Sequence, residues 1–177
     1  MAVLALTPAG RFTEKEMGIP DHLAAADVIL DLDAATKQDV LRLLSAEAAG
    51  RLGRPEREVL GALAARERLG PTALGRGVAL PHARLSGSSP PLALLARLRR
   101  PVDFEARDEE PVDLVILVLW PEASPEGFLP ALSGICGALR DPQVLHRLRR
   151  ARTPGEAAAL LRGEVSPPTG KAAAPEA

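Results

Sequence analysis

The sequence predicts a single domain of the α/β class, and three observations favour this class. Segments with the apolar pattern of strands are interleaved with segments whose apolar residues recur at helical spacing. A length of 177 residues suits one domain with a sizeable core, and 46% hydrophobic with 25% charged residues is ordinary for a globular protein. We expect a flexible leader over residues 1–16, the folded domain over 17–163 with a short helical turn from Ile19, and a disordered tail over 164–177.

The first half of the domain predicts one strand followed by two helices. Residues 28–33 alternate and begin with β-branched side chains, which favours a strand. Thr36 followed by Asp39 has the spacing of a capping box, and Gly50 and Gly53 are expected to end the helix that it starts. Pro55 suits the first position of a second helix, which leads directly into a glycine-rich loop.

The second half predicts two longer strands and three helices. The continuous apolar run over 113–120, bounded by prolines, is typical of a central strand buried on both faces. Residues 92–98 are a further strand candidate that ends at residues 99–101 (Arg-Arg-Pro), although Leu and Ala leave a helix open on propensity alone. Phe104 is expected to anchor a short strand or turn. The expected helices are one over 125–139, with Ser124 as N-cap and Leu129, Leu132 and Ile135 on its buried face, one from Asp141 and one from Thr153.

Residues 66–85 form the most informative stretch. A loop with three glycines leads there into a short apolar strand over 78–80, which is expected to stop at Pro81 and His82. Glycine permits positive φ and close approach of a ligand to the backbone, and proline cannot donate to a sheet ladder. The pattern therefore predicts a chemically active imidazole at the end of a strand, beside a loop whose backbone N–H groups are available to a ligand.

The same stretch carries a family resemblance. Residues 69–82 read Leu-Gly-Pro-Thr-Ala-Leu-Gly-Arg-Gly-Val-Ala-Leu-Pro-His. This resembles, without a gap, the active-site signature of the fructose/mannitol-type enzyme IIA domains of the bacterial phosphoenolpyruvate-dependent sugar phosphotransferase system, a family that includes the nitrogen-regulatory IIA proteins. Residues 108–114 look like the family's Asp-x-x-Pro-Val-Asp-Leu segment. The resemblance implies a mixed β-sheet flanked by helices and identifies His82 as the residue that carries the phosphoryl group.

Phosphoryl transfer at a histidine needs a neutral imidazole and groups that meet the negative oxygens of the transferred phosphoryl. The unperturbed pKa of imidazole, about 6.5, leaves one nitrogen with a free lone pair at neutral pH. Backbone N–H groups, a hydroxyl and a cation are the expected partners of the oxygens. The sequence offers Gly75, Gly77, Thr72 and Arg84 for these parts, and the resemblance puts Thr72 at the family's loop hydroxyl. We expect neither a cofactor nor a metal.

One position departs from the family pattern. The family usually carries a second histidine at the start of the helix after the central strand, and Phe128 occupies that position here. A phenyl ring cannot donate a hydrogen bond to a phosphoryl oxygen. We expect the substitution to slow transfer without removing the nucleophile, which is compatible with a slow regulatory role.

Composition and charge exclude several other classes of function. Aromatic residues make up 2% of the chain and the net charge is −1, which gives no reason to expect nucleic acid or an anionic membrane as a partner. A single cysteine excludes a disulfide framework and a multi-cysteine metal site. No signal peptide or membrane span is recognisable, so we expect a cytoplasmic protein. His22 and His146 are expected to be surface residues.

The expected partners follow from the resemblance. An HPr-like phosphocarrier would donate the phosphoryl group to His82, and a IIB domain or a regulatory target would receive or sense it. No IIB or IIC segment follows in the chain, which favours a stand-alone IIA of the nitrogen-regulatory branch. The alternative is a IIA-fold binding module that is not phosphorylated, as the missing second histidine suggests. A hydrolase or metalloenzyme would need a nucleophile elbow, a P-loop or clustered ligands, which the sequence lacks.

Overall fold

The computed structural model describes residues 23–164. The leader expected over 1–16, the helical turn expected from Ile19 and, apart from Glu164, the tail expected over 164–177 lie outside the described residues.

Residues 23–164 form one α/β domain with six strands and five α-helices, preceded by a turn of 3₁₀ helix at Ala25–Asp27. The strands are β1 (Val28–Leu32), β2 (Ala73–Gly75), β3 (Val78–Ala79), β4 (His82–Leu85), β5 (Leu92–Val102) and β6 (Val112–Pro121). The helices are α1 (Lys37–Leu52), α2 (Glu56–Glu67), α3 (Phe128–Ala138), α4 (Pro142–Arg150) and α5 (Pro154–Leu161).

The sheet is mixed, as the resemblance implied. Its order is β1-β5-β6-β3-β2, and β4 also pairs with β6. Strands β5 and β6 are antiparallel neighbours, β1 runs parallel to β5, and β3 and β4 both run parallel to β6. Strand β2 folds back antiparallel on β3. Strand β6 therefore lies at the centre of the sheet, and β3 and β4 follow each other along one of its edges.

Helices cover both faces of this sheet. Alternate residues of β6 point to opposite sides, so Val115, Leu117 and Leu119 pack against α1 and α2, while Leu114, Ile116 and Val118 pack against α3, α4 and α5. The prediction of a central strand buried on both faces is confirmed.

The predicted caps of three helices are present. The Thr36 side chain accepts from the Asp39 N–H in a complete capping box, and α1 ends at Gly53 in the left-handed conformation. Asp141 and Thr153 each accept a backbone N–H at the start of α4 and α5. Pro55 differs slightly from the expectation, since it is the N-cap of α2 and not its first helical residue.

Strand β5 extends further than the sequence predicted. We expected it to end at residues 99–101, but it continues to Val102, which pairs with Val112. The register shifts between Arg97 and Val102. Pro101 lies within this irregular segment, where the absence of a backbone N–H does not interrupt a regular ladder. Phe104, just beyond, is fully buried, which is the anchoring position that we expected.

Helix α3 begins later than predicted. Its N-cap is Gly127, at φ 84°, and not Ser124. The Ser124 carbonyl accepts from the Trp120 indole N–H at 2.8 Å, and a Cβ on Gly127 would lie 3.1 Å from the Trp120 ring. Residues 122–127 are thus used to turn the chain around Trp120. Leu129, which we placed on the buried face, is 74% exposed.

Candidate active site around His82

His82 begins β4, where the chain re-enters the sheet after Pro81. We expected the strand to stop at Pro81; the ladder breaks there, but His82 resumes it by pairing with Val118 of β6. The imidazole is half-buried. Its Nδ1 atom lies 2.8 Å from the Leu80 carbonyl oxygen, and its Nε2 atom lies 3.1 Å from Nε of Arg66.

Both contacts require the same tautomer of His82. A carbonyl oxygen only accepts, so Nδ1 carries the hydrogen and donates it to Leu80. The Arg66 guanidinium only donates, so Nε2 is the nitrogen with the lone pair. The site therefore presents Nε2 as the basic and nucleophilic atom.

The environment also favours the neutral ring. Burial lowers the pKa of His82, the hydrogen bond to the Leu80 carbonyl opposes this effect, and the positive charge of Arg66 lowers the pKa further. The net shift is below the ordinary value of histidine. At neutral pH the imidazole is therefore uncharged, as nucleophilic attack requires.

Arg66 connects His82 to the loop that follows α2. It lies in the last turn of that helix, and besides contacting His82 it donates from Nη1 to the Gly70 carbonyl at 3.0 Å. In the sequence, Arg66 and Glu67 match the family pattern, but no chemical role was expected for either of them. Helical periodicity places Arg66 near the end of α2, but only the tertiary packing of α2 beside β4 brings it to a residue 16 positions later.

Thr72 lies in the loop between α2 and β2, and both of its donors are already engaged. Its N–H and hydroxyl donate to the two carboxylate oxygens of Glu67, at 3.0 and 2.7 Å. Its carbonyl accepts from the Leu80 N–H at 2.9 Å. Thr72 is 4% exposed. The structure thus brings Thr72 next to the backbone that orients His82, with its hydroxyl directed at Glu67.

Gly75 and Gly77 lie away from His82, at the turn between β2 and β3. Four residues of extended chain separate Val78 from His82 along β6, which corresponds to about 13 Å. Both glycines have positive φ, and their missing side chains leave room for Asp108 beside Gly75 and for Arg149 beside Gly77. The structure does not bring these two predicted phosphate ligands together with His82; they shape a hairpin.

Arg84 lies on the same strand as His82, two residues further on. Residues at this spacing share a face of a strand, and the Arg84 side chain is exposed. It therefore places a cation on the same face of β4 as the imidazole.

Phe128 is the first residue of α3 and forms the apolar wall of the site. Its ring centroid lies 6.0 Å from that of His82 in a tilted arrangement and 5.9 Å from that of Trp120. The structure thus brings the residue at the family's second histidine position directly to His82, where it offers an aromatic contact and no hydrogen bond.

The described part of the chain gives little support for a second histidine site, a metal site or a membrane-spanning helix. His146 is exposed on α4, and His22 lies outside the described residues. Within residues 23–164, no group of three or more His, Cys, Asp or Glu side chains is arranged to hold a metal ion. No helix in the same range is long and apolar enough to cross a membrane.

Comparison with known proteins identifies the family. The family model described as phosphoenolpyruvate-dependent sugar phosphotransferase system, EIIA 2, matches residues 21–163. A nitrogen regulatory protein of Bradyrhizobium diazoefficiens is 43% identical over 136 residues, which are 77% of this chain and 89% of that protein.

Solved structures agree with the sequence comparison. The nitrogen regulatory protein IIA-Ntr from Neisseria meningitidis is similar with a TM-score of 0.77 and 30% identity, over 81% of this chain and 98% of that one. IIA mannitol from Escherichia coli is similar with a TM-score of 0.64 and 26% identity, over 78% of this chain and 98% of that one. The chain therefore belongs to the EIIA type 2 family of the phosphoenolpyruvate-dependent sugar phosphotransferase system, with nitrogen regulatory proteins among its relatives.

Proposed function

We propose that Nε2 of His82 accepts a phosphoryl group from an HPr-like phosphocarrier, and that the protein passes this group on or signals by its phosphorylation state. The observation that carries the proposal is the fixed tautomer. Nδ1–H is engaged by the Leu80 carbonyl, so the lone pair stays on Nε2, beside the Arg66 cation.

The transfer itself is a displacement at phosphorus. The Nε2 lone pair forms the new N–P bond while the N–P bond of the donor phosphohistidine breaks, and the donor nitrogen keeps its electron pair. The His82 ring gains positive charge in this step, which strengthens the hydrogen bond from Nδ1–H to the Leu80 carbonyl. Arg66 must leave Nε2 for the attack, and its guanidinium is then within reach of the phosphoryl oxygens.

A regulatory role is supported by the relatives and by the surface around His82. Nitrogen regulatory proteins are among the similar proteins. Leu69 in the loop after α2 and Leu129 on α3 are exposed apolar side chains in the two segments that flank the imidazole. A phosphoryl group on His82 adds negative charge to the strand that also carries Arg84, which changes the affinity for a docked protein. The receiving protein would be a IIB domain or a regulatory target.

The test is phosphorylation of the purified protein with phosphoenolpyruvate, enzyme I and HPr. Intact mass is measured before and after brief acid treatment, because phosphohistidine is acid-labile. His82→Ala should lose the added phosphoryl mass. His146→Ala, the matched control at an exposed histidine, should retain it.

A second candidate function is a binding module that is never phosphorylated. Phe128 favours it, because the site lacks the second histidine as a hydrogen-bond donor. Failure of transfer from every cognate HPr-like donor would overturn the phosphocarrier proposal and leave this one.

A further inference from the structure

A continuous series of hydrogen bonds leads from His82 to a buried lysine on α1. The Leu80 carbonyl accepts from Nδ1 of His82, and the Leu80 N–H donates to the Thr72 carbonyl. The N–H and hydroxyl of Thr72 both donate to the Glu67 carboxylate. Glu67 in turn lies 2.7 Å from Nζ of Lys37. Each link joins one donor to one acceptor. Loss of the Lys37 charge can therefore alter the hydrogen bond that orients the His82 imidazole.

Lys37 and Glu67 form a buried ion pair. Their side chains are 9% and 8% exposed, whereas Glu105, the second carboxylate on Lys37, is 72% exposed. Burial alone would raise the pKa of Glu67, but the hydrogen bonds from Lys37 and Thr72 outweigh it and hold that pKa below its usual range. A buried carboxylate whose cation is removed takes up a proton far more readily.

The charge of Glu67 decides how Thr72 is held. An ionised carboxylate only accepts, so both oxygens are available to the two Thr72 donors. In a protonated carboxyl one oxygen becomes a hydroxyl, which is a weaker acceptor, so one of the two Thr72 bonds would be weakened. The neighbouring Arg66 holds the same loop at Gly70, so the last turn of α2 fixes the loop at two points.

We propose that Lys37 is a positioning residue for the phosphoryl-transfer site. By keeping Glu67 ionised, it holds Thr72 and Leu80 in place and so locks His82 in the tautomer that presents Nε2. The inference deepens the proposed function and rests on it for the transfer rate, but not for the tautomer.

The charged groups around Glu67 come from several elements. Lys37 pairs with it from α1, and Arg66 precedes it on α2. Glu105, in the loop between β5 and β6, pairs with the same Lys37. Burial is the main cause that lowers the pKa of His82, and the charge of Glu67 opposes this effect as the smallest contribution. Without Lys37, the remaining carboxylate Glu105 adds to the reasons for Glu67 to bind a proton.

The experiment compares Lys37→Met, which removes the cation but keeps much of the side chain, with Lys37→Arg, which keeps the charge. Glu105→Gln is the matched control, since it removes a carboxylate from Lys37 and leaves the pair with Glu67 intact. The readouts are the ¹⁵N chemical shifts of the His82 ring at neutral pH and the rate of phosphorylation by HPr.

We expect widely separated ring shifts, diagnostic of one tautomer, in the unmodified protein, in Lys37→Arg and in Glu105→Gln. Lys37→Met should bring the two shifts towards each other and slow phosphorylation about tenfold. If Lys37→Met does not fold, Glu67→Gln tests the same link, because an amide offers a single acceptor oxygen to the two Thr72 donors and should also bring the shifts together.

The outcomes separate the two proposals. Separated shifts in the folded Lys37→Met variant, or in Glu67→Gln, would overturn the positioning role even if the melting temperature fell. Converging shifts in a protein that no HPr-like donor phosphorylates would support the positioning of His82 and count against the proposed function alone.

Discussion

Nε of Arg66 lies 3.1 Å from Nε2 of His82 and donates a hydrogen bond to the nitrogen that we propose as the phosphoryl acceptor. This contact implies two successive roles for the arginine in phosphoryl transfer. Before transfer, it orients the lone pair and lowers the pKa of the imidazole, in addition to the effect of burial. During transfer it must release the lone pair, and its planar guanidinium can then pair with two phosphoryl oxygens.

Replacing Arg66 by Gln should slow phosphorylation of His82 and raise the pKa of its imidazole. A hydrogen bond from a charged donor contributes about 1.5–3 kcal/mol, which corresponds to a rate loss of roughly ten- to a hundredfold. Rates are measured by rapid-quench phosphorylation, and the pKa by NMR titration. Arg68→Gln is the control, because this neighbouring arginine is exposed. Equal rates in the two variants would remove Arg66 from the mechanism.

Acidification should affect both the site and the stability of the fold through His82. Its pKa in the folded protein lies below the ordinary value of about 6.5, chiefly because the ring is buried. Phosphorylation should therefore persist at pH values where a free imidazole is already protonated. Between the two pKa values the unfolded chain binds more protons, so this part of the stability is complete above about pH 6.5 and is lost as the pH falls through the folded-state pKa.

Urea unfolding of the protein and of His82→Gln, each at about pH 7.5 and pH 5.5, measures this contribution. The unmodified protein should lose more free energy of unfolding on acidification than the variant does. A variant with the same pH dependence would show that His82 has no depressed pKa in the folded state.

The predictable part of the fold rests on local signals. The capping box at Thr36 and the apolar run of β6 act through residues near in sequence, so pattern alone placed them correctly. The extension of β5 through Pro101 and the late start of α3 at Phe128 depend on tertiary structure. A register shift against β6 accommodates the proline, and the Trp120 indole donates to the carbonyl of Ser124, which we expected to be the N-cap.

The candidate site, like the fold, has residues that the sequence pattern predicted and residues that only tertiary packing brings there. The glycine-rich pattern indicated His82 as the candidate phosphoryl acceptor, but it did not distinguish a loop that binds phosphate from a hairpin turn. Two short apolar segments separated by Arg76 and Gly77 are a hairpin signal, and the structure has the hairpin there. Arg66 and Lys37 reach the site only through the packing of α1 and α2 on the sheet, and helical periodicity does not report which distant residue a charged side chain will meet.

Gly77→Ala should destabilise the fold without abolishing phosphorylation. A Cβ at this position would lie 2.6 Å from Nη2 of Arg149 and 3.0 Å from a carboxylate oxygen of Asp113, at a φ of +76°. Left-handed strain and disruption of the Arg149–Asp113 pair should together cost about 2–3 kcal/mol. Urea unfolding measures the loss.

Gly134→Ala in α3 is the matched control for this effect. A Cβ there meets nothing within 4 Å, and alanine in a helix is about 0.5–1 kcal/mol more favourable than glycine, so the variant should be more stable. Because the Gly77 turn lies on the order of 13 Å from His82, folded Gly77→Ala protein should still accept a phosphoryl group. Loss of phosphorylation in a folded variant would place the glycine turn in the site after all.

Phe128→His should accelerate phosphorylation of His82. The Phe128 ring lies 6.0 Å from the His82 ring, so an imidazole at this position can reach a phosphoryl oxygen carried by Nε2. One added hydrogen bond to a charged group, about 1.5–3 kcal/mol if formed fully in the transition state, sets an upper limit of roughly ten- to a hundredfold. Phe128→Leu is the control, because it keeps an apolar wall beside Trp120 and offers no donor. If histidine and leucine give the same rate, the missing donor is not what limits transfer; a faster histidine variant would mean that Phe128 keeps the site slow.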